Sequence, residues 1–310
     1  MTTPANEKTL CFVCGNHEWK PYFSSKEYPQ YTYKRCGNCK FIQLTPLPSQ
    51  EELNKFYAGL WSEHKTDSYG DRFVNRDLPD EATIQKWYAP SFSQWEEFLP
   101  PSQNTRRLLE VGVGRGNILA AAKALGWDSV GVDVSEQGAK RLVGQHNFKV
   151  IVGDFCTSPL DDIGKVDVVH MNHVLEHMRD PGVALEQVKR ILKPNGLFCF
   201  AVPTIDEKLF NITSTLWKLL YNISGHWNGF HPYFWCLYSI GHISCFSANT
   251  LNRFLAKHDF IVQWEKYSLP RWERTESWLR HIRGLSMTPF FLLTNSGWEI
   301  RVIAQFKKNK

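Results

Sequence analysis

Apolar and polar residues alternate with two different periods from Arg106 onward. Short apolar runs predict strands, and longer segments with a helical period predict helices. The predicted strands are RRLLEVG, SVGVDV, KVIVGD, KVDVVHMN, GLFCFAVP and the final GWEIRVIAQFKK, and the helices include NILAAAKAL, SEQGAKRLVGQ and PGVALEQVKRIL. Strands that alternate with helices indicate an α/β domain with a Rossmann-like, doubly wound sheet, in which ligands bind beyond the carboxyl ends of the strands.

The residues before this domain divide into two further segments. Residues 1–48 contain the strand-like run YTYKR and four clustered cysteines, whereas residues 49–104 have a helical pattern dotted with aromatic residues. Ser49 and Glu52 have the spacing of a capping box, which marks the start of a helix. We therefore predict an N-terminal ribbon over 1–48, a helical lid or linker over 49–104 and the α/β domain over 105–310.

Composition adds that the chain can bury a core. Of its 310 residues, 43% are hydrophobic and 14% are aromatic, which excludes a disordered chain. The net charge of +5 permits an anionic small substrate, whereas nucleic-acid binding usually leaves a basic stripe and is not expected here. No apolar run approaches the roughly 20 residues that span a bilayer, and the N-terminus lacks a signal-peptide pattern. The expected location is the cytoplasm.

Four of the eight cysteines form two Cys-x-x-Cys pairs near the N-terminus: Cys11, Cys14, Cys36 and Cys39. Two such pairs have the spacing of a closed four-thiolate site, which predicts a structural Zn²⁺ and not a catalytic or redox centre. Gly15 and Gly37 each follow a cysteine and are expected to take the positive φ of a tight turn. The ribbon is interpreted as a folding staple, as a nucleic-acid contact or as a docking site for substrate, and the weak basicity of residues 1–50 does not favour nucleic acid.

The sequence LLEVGVGRGN places three glycines behind a predicted strand: Gly112, Gly114 and Gly116. Such a loop lets a ligand approach the backbone closely, and it is compatible with a dinucleotide or with S-adenosylmethionine. A dinucleotide fingerprint requires a third glycine where this chain has Asn117. Glu110 ends the strand before the loop, and Asp133 ends the next strand, where a carboxylate can bridge two ribose hydroxyls.

Together with Asp154 and Phe155, which close the third strand, this set resembles class I S-adenosylmethionine-dependent methyltransferases. The resemblance covers about residues 105–265 and implies S-adenosylmethionine as the cofactor. It implies that the three glycines border the methionine portion, that Glu110 anchors its ammonium side and that Asp133 holds the ribose. By the same resemblance Asp154 and Phe155 border the adenine, and Asn172, at the end of the fourth strand, contacts cofactor or acceptor.

The segment HMNHVLEHMRDP resembles the fourth-strand stretch of the small-molecule branch of that family. It lacks the Asn/Asp-Pro-Pro-aromatic motif of enzymes that methylate amino groups of bases, and no Pro-Cys pair marks a cytosine C5 enzyme. His173-x-x-Glu176-His177 is similar to the Glu-x-x-Glu-His metal motif of ubiquinone-pathway and small-RNA methyltransferases, but histidine replaces the first glutamate. We therefore expect no divalent ion there, and assign Glu176 to a helix start and His177 to the pocket.

Residues 205–250 exceed what this fold requires and predict an insertion, rich in aromatic residues, on the rim where substrates enter. It is interpreted as a substrate cover that stacks on a sugar or an aromatic ring, as a patch that docks peripherally on a membrane, or as a packed helical hairpin without ligand contact. Within it, residues 217–246 contain nine aromatic residues: Trp217, Tyr221, Trp227, Phe230, Tyr233, Phe234, Trp235, Tyr238 and Phe246.

Methyl transfer to a hydroxyl or an acidic carbon needs a base that takes a proton, and histidine has a suitable pKa for this task. His242 and His177 are the candidate catalytic bases. His242 lies in GHISCFSANTLNRF, a segment that resembles the one at the pocket mouth in the small-molecule branch.

The whole plan resembles bacterial zinc-ribbon methyltransferases that modify sugars, polysaccharides or secondary metabolites. It predicts O- or C-methylation of a small-molecule acceptor, with a nucleotide- or lipid-linked sugar as the first candidate. Two alternatives stay open. One is an rRNA guanine methyltransferase, since one such family also couples a zinc ribbon to this fold, and the other is a scaffold that binds S-adenosylmethionine without turnover.

Overall fold

The computed structural model of the chain describes residues 9–24, 28–60 (the backbone alone over 57–60), 78–206, 237, 240–268, 297 and 299–307. Contacts between residues divide the chain into two compact units. The sheet unit comprises Pro48–Phe200, Leu255–Trp264 and Val302–Lys310, and the ribbon unit comprises Met1–Leu47, Ala201–Phe254 and Glu265–Arg301. Among the described helices, none has the length and apolar character needed to cross a membrane.

A seven-stranded sheet forms the α/β domain, as the alternating pattern predicts. Its strands are β4 (Arg107–Val111), β5 (Asp128–Asp133), β6 (Lys149–Val152), β7 (Val166–Asn172), β8 (Leu192–Pro203), β10 (Phe260–Ser268) and β11 (Glu299–Phe306). Their order across the sheet is β10-β11-β8-β7-β4-β5-β6. Strands β7, β4, β5 and β6 pair in parallel, so their carboxyl ends meet at one edge of the sheet.

The strand order reverses next to β4. The chain runs from β4 outward to β5 and β6, and then returns to β7 on the other side of β4. A doubly wound sheet binds its ligand in the crevice at such a reversal, beyond the carboxyl ends of the strands. The glycine loop follows β4 directly and therefore lies at this point.

Several of the described helices begin directly after a side chain that caps them. Ser49 and Glu52 form the predicted capping box, with the backbone N–H of each donating to the side chain of the other. The Asp180 carboxylate accepts hydrogen bonds from the first turn of the helix that follows it. The helices are α1 (Gln50–Leu60), α2 (Glu81–Trp87), α3 (Ala89–Phe98), α4 (Asn117–Ala124), α5 (Glu136–His146), α6 (Pro181–Ile191) and α7 (Ala248–Lys257).

Helices α2 and α3 pack into the core of the sheet unit. Phe92 and Trp95 share one hydrophobic cluster with residues of β4, β7 and β8. Beside that cluster, the buried guanidinium of Arg106 donates to the Glu96 carboxylate from Nη2 over 2.7 Å and to Asp167 over 3.5 Å. The predicted helical character of residues 49–104 is thus confirmed for α1, α2 and α3, and a lid function stays a prediction.

A second, four-stranded antiparallel sheet belongs to the ribbon unit. Its order is β1-β2-β3-β9, so the first three strands are continued by a strand from far along the chain. The predicted strand-like run YTYKR corresponds to β2. The strands are β1 (Trp19–Ser24), β2 (Thr32–Cys36), β3 (Ile42–Thr45) and β9 (Ser244–Cys245).

Candidate functional site

The glycine loop between β4 and α4 is held in a conformation that favours glycine. Gly112, Gly114 and Gly116 have φ angles of 72°, 50° and 84°. A Cβ atom on Gly112 would lie 2.5 Å from Val174, and one on Gly116 would lie 2.6 Å from Leu142. A Cβ atom on Gly114 would meet no described atom within 4 Å, so open space lies beside the middle of the loop.

Asp133 joins the end of β5 to this loop. Its Oδ1 accepts a hydrogen bond from the backbone N–H of Ser135 over 2.8 Å, and its Oδ2 accepts one from that of Gly114 over 3.3 Å. The residue is 8% exposed, and burial raises the pKa of its carboxyl group. The backbone thus fixes a buried carboxylate beside the loop.

Glu110 lies beneath the loop at the end of β4. Its exposed fraction is 4%, and burial together with the charge of Asp133 raises the pKa of its carboxyl group well above the usual range. Its Oε2 atom is buried and makes no hydrogen bond with any described residue. Such a group favours a ligand that brings a donor or a positive charge, because an unsatisfied buried acceptor costs about 1–3 kcal/mol. The ammonium and ribose hydroxyls of S-adenosylmethionine fit this donor requirement at Glu110 and Asp133.

His170 is a neighbour of Glu110 that the sequence interpretation missed. It lies opposite Glu110 in the register of β4 and β7, and its Nδ1 is 3.8 Å from Oε1 of Glu110. The ring centroid of Trp95 is 5.4 Å from that of His170 on the other side. The signal was present as a histidine within an apolar strand, but its meaning depends on which strand pairs with β7.

The other residues predicted to bind the cofactor follow the neighbouring strands. Asp154 comes after β6, and its Oδ1 accepts a hydrogen bond from the backbone N–H of Cys156 over 2.8 Å. Phe155 is buried, whereas Asn172 ends β7 with an exposed side chain. Asp133, Asp154 and Asn172 therefore come at or just after the carboxyl ends of parallel strands, and their contacts with a cofactor stay predictions.

Two histidines share one buried carboxylate after β7. The Oε1 atom of Glu176 lies 3.4 Å from Nδ1 of His173 and 3.7 Å from Nε2 of His177, and its side chain is 1% exposed. His173 has a φ angle of 55°, a left-handed conformation uncommon for this residue type. The arrangement places the His177 ring beside a buried carboxylate.

His242, the other candidate base, belongs to the ribbon unit. Its exposed fraction is 4%, and its backbone carbonyl accepts a hydrogen bond from the Tyr33 hydroxyl over 2.8 Å. His177 belongs to the sheet unit instead, and the assignment of either histidine as the base stays a prediction. Of the aromatic residues predicted for the insertion, Phe246 alone lies among the described residues, where it is fully buried.

The predicted metal ligands lie together in the ribbon unit. The Sγ atoms of Cys11, Cys14, Cys36 and Cys39 all lie within 4.8 Å of one another. The closest pairs are 3.5 Å and 3.6 Å apart, too far for a disulfide bond of about 2.05 Å. Burial raises the pKa of the Cys39 thiol to about 11, so a bound cation would be needed to hold it as a thiolate.

The turns around the cysteines are only partly as predicted. Gly15 has the expected positive φ of 71°, and its N–H donates to the carbonyl of Cys11. In the second turn the positive φ belongs to Lys40, at 68°, and not to Gly37. Gly37 instead donates its N–H to the carbonyl of Glu18, and a Cβ atom there would make only ordinary contacts, so neither φ nor space requires a glycine.

Comparison with known proteins adds a family match. Residues 85–263 match the family model described as a methyltransferase domain. The ubiquinone biosynthesis O-methyltransferase of Bordetella avium is 30% identical over 125 residues, which cover 38% of this chain and 51% of that protein. The demethylmenaquinone methyltransferase of Clavibacter sepedonicus is 31% identical over 106 residues, which cover 32% of this chain and 43% of that protein.

These matches leave much of each protein unmatched. This chain spans 30% of the length of one such curated relative and 64% of another. Among solved structures, a SAM-dependent methyltransferase from Archaeoglobus fulgidus has a TM-score of 0.47 and 17% identity, covering 76% of this chain and 96% of that one.

Proposed function

The chain belongs to the methyltransferase domain family, and from this premise we propose that it transfers a methyl group from S-adenosylmethionine to a small-molecule acceptor. The observation that carries the proposal is the arrangement of two buried carboxylates, Glu110 and Asp133, around a glycine loop at the strand-order reversal. Glu110 keeps a buried oxygen without a hydrogen bond from any described residue, and burying such a group without a ligand costs stability.

The residues present fit the cofactor in three places. Asp133 offers lone pairs to two ribose hydroxyls, Glu110 offers an unsatisfied oxygen to the ammonium side, and Gly114 leaves open space beside the loop. When bound, S-adenosylmethionine supplies a methyl group that is already activated on a sulfonium. The chain's own task is therefore to orient the acceptor, exclude water and take up the acceptor's proton.

The base is proposed to be His177 or His242. When a hydroxyl or an acidic carbon is methylated, one of these imidazoles takes its proton, and for His177 the adjacent Glu176 carboxylate stabilises the resulting imidazolium. The sequence predicts both histidines as candidate bases. For His177, the Glu176 carboxylate would also orient the imidazole ring.

The acceptor is proposed to be a small molecule with a hydroxyl or an acidic carbon. Two of the relatives are named for ubiquinone biosynthesis and for demethylmenaquinone, which supports a small acceptor. Within that class, we take a nucleotide- or lipid-linked sugar as the first candidate, as the ribbon-bearing plan implies. An rRNA acceptor and a scaffold without turnover are the alternatives that the experiment below distinguishes.

The four cysteines are proposed to hold one structural Zn²⁺. The convergence of their Sγ atoms supports this proposal, because four thiolates at such separations form a tetrahedral site. Four protein ligands would leave no open position for a substrate or a water molecule, so the ion would have a structural role.

Calorimetric titration of the zinc-loaded chain with S-adenosylhomocysteine tests the cofactor assignment. We expect micromolar binding, and at least about a tenfold loss in Asp133→Asn, because hydrogen bonds to a charged group contribute about 1.5–3 kcal/mol. Asp162→Asn, an exposed acid outside the site, is the matched control. A folded wild type that binds neither S-adenosylmethionine nor S-adenosylhomocysteine would overturn the proposal.

A turnover screen with methyl-labelled S-adenosylmethionine then compares nucleotide sugars, phenolic quinone precursors and ribosomal RNA. Label in a sugar or a quinone precursor supports the small-molecule assignment. Label in RNA, with binding that weakens steeply as salt rises, would replace it by the rRNA alternative. Binding without label in any acceptor would favour the scaffold.

A further inference from the structure

The ribbon is joined by backbone hydrogen bonds to the segment that carries His242. Strand β3 pairs antiparallel with β9, with Ile42 opposite Cys245 and Gln43 opposite Ser244. One residue beyond the strand, the backbone N–H of Leu44 donates to the carbonyl of Ile243 over 2.9 Å. A strand of two residues cannot persist alone, so β9 depends on β3 for its conformation.

A buried side chain reinforces this backbone pairing. Tyr33, on β2, is 1% exposed and donates its hydroxyl proton to the backbone carbonyl of His242 over 2.8 Å. Phe41 and Phe246 pack with their ring centroids 5.0 Å apart. The ribbon therefore contacts the candidate base's own peptide group as well as residues on its C-terminal side.

The cysteine cluster is in turn connected to β3. The side chain of Gln43 is fully buried and bonds to both sides of Cys11: it accepts from the N–H of Phe12 over 3.4 Å and donates to the carbonyl of Leu10 over 3.5 Å. On the other side, the N–H of Cys36 donates to the carbonyl of Phe41 over 2.8 Å. Because metal binding and folding are coupled in small ribbons, removal of the metal is expected to loosen this arrangement.

We propose that the metal-bound ribbon positions His242, with Tyr33 and Gln43 as the positioning residues that transmit the cysteine geometry to its backbone. This inference rests on the proposed function, in which His242 is a candidate base. Gly112–Gly116, Glu110 and Asp133 belong to the sheet unit, so ribbon metal should control the His242 segment and leave cofactor binding unchanged.

Amide hydrogen exchange on the full chain, with and without removal of zinc by a chelator, tests the coupling. We expect exchange over residues 240–246 to accelerate at least about tenfold, with residues 107–116 unchanged, because opening of β9 is local. In the same samples, affinity for S-adenosylhomocysteine should change by less than about twofold. Unchanged exchange over 240–246, or equal loss of protection in both segments, would overturn the proposal.

Tyr33→Phe removes the hydroxyl and keeps the ring, and Tyr22→Phe removes a hydroxyl from β1 at the opposite edge of the same sheet. Zinc content should stay complete in both variants. Mass spectrometry can follow the exchange of the imidazole C2 hydrogen of each histidine. For His242 this exchange should be about fivefold faster in Tyr33→Phe and unchanged in Tyr22→Phe, because one lost hydrogen bond favours opening of the segment by about that factor. His177 in the same molecule should not change.

With an acceptor from the turnover screen, Tyr33→Phe should lower kcat and leave the KM for S-adenosylmethionine unchanged. Equal His242 exchange in Tyr33→Phe and wild type would contradict the positioning role. If the wild type binds no S-adenosylhomocysteine but the exchange results hold, the proposed function fails while the coupling of ribbon and His242 segment stands.

Discussion

The backbone N–H of Gly114 donates a hydrogen bond to Oδ2 of Asp133 over 3.3 Å, which ties the middle of the glycine loop to the acid at the end of β5. The other carboxylate oxygen is fixed by Ser135. Both oxygens are thereby oriented before any ligand binds, so in the proposed cofactor site a pair of ribose hydroxyls would meet acceptors that need not reorganise.

Two glycines of the loop should have different roles: Gly116 should matter for stability, and Gly114 should matter for the space that a ligand occupies. Gly116→Ala should lower the free energy of unfolding by about 2 kcal/mol or more, since it adds a clash with Leu142 to the cost of a positive φ. Gly114→Ala should lower it by only about 1 kcal/mol, because only the φ cost applies. Affinity for S-adenosylhomocysteine should fall in Gly114→Ala, whose methyl group occupies the open space beside the loop.

Urea unfolding and calorimetric titration of both variants measure these two effects. Equal loss of stability in the two variants would contradict the steric role of Gly116. Unchanged affinity in Gly114→Ala would mean that the cofactor does not use the space at the middle of the loop.

Glu110 should make the cofactor-free chain less stable as pH rises. Its pKa is raised in the folded chain, so above the ordinary value of 4.5 the folded state keeps a proton that the unfolded state has released. The unfolded state then binds fewer protons, and the free energy of unfolding falls with pH until the raised pKa is passed. Glu110→Gln has no such proton, and its stability advantage over wild type should grow from pH 5 to pH 8.

Thermal unfolding of both proteins without ligand, in steps of pH, tests this. Asp133 is present in both, so its own raised pKa contributes the same slope to each. A stability difference that is constant between pH 5 and pH 8 would show that Glu110 is ionised in the folded chain. Glu110→Gln should also weaken S-adenosylhomocysteine binding, so that stability and function change in opposite directions.

Local sequence patterns were enough to predict the α/β sheet and the glycine loop at the end of β4, and the cofactor contacts of that loop stay a prediction. The apolar period indicates the strands, and a carboxylate at the end of a strand can be recognised without knowing what lies beside it. The position of His170 opposite Glu110 could not be predicted, because it depends on β7 pairing with β4 across an intervening 54 residues from Gly112 to Lys165. A one-residue shift in register would move His170 to the other face of the sheet.

Pairing between strands that are distant in sequence limited the prediction of the ribbon unit even more. The cysteine spacing predicts that four thiols come together, since each pair is local. No pattern in Ser244–Cys245 indicates that these residues complete a sheet begun at β1. The positive φ at Lys40 in place of Gly37 could not be predicted from the position of the glycine either.

Arg106 should stabilise the packing of α3 against the sheet. Its guanidinium is buried between Glu96, the carbonyl of Pro100 and Asp167. Arg106→Met keeps the apolar stem but leaves these acceptors without their donor, and should lower the free energy of unfolding by about 2 kcal/mol. Urea unfolding measures the loss, with Lys140→Met as control because Lys140 makes only an exposed pair with Glu136. Equal effects of the two substitutions would contradict a fastening role for Arg106.

The four-cysteine cluster should account for all zinc bound by the chain. Cys14→Ser replaces one of the four proposed zinc ligands. We expect the zinc content to fall from about one ion per chain to well below half, because a structural site of this kind needs all four thiolates. Inductively coupled plasma mass spectrometry after dialysis measures the zinc content. Cys156→Ser is the matched control, because Cys156 is a free, partly buried thiol of the sheet unit. The Cys156→Ser variant should keep its zinc and unfold at the wild-type temperature. Cys14→Ser and wild type treated with a chelator should both unfold at a lower temperature.

A wild type that folds with β1–β3 protected from exchange and yet holds no zinc would show that the ribbon is stable without metal. The thiols would then be reduced neighbours, and the pairing of β3 with β9 and the Tyr33 hydrogen bond would hold the His242 segment without a metal.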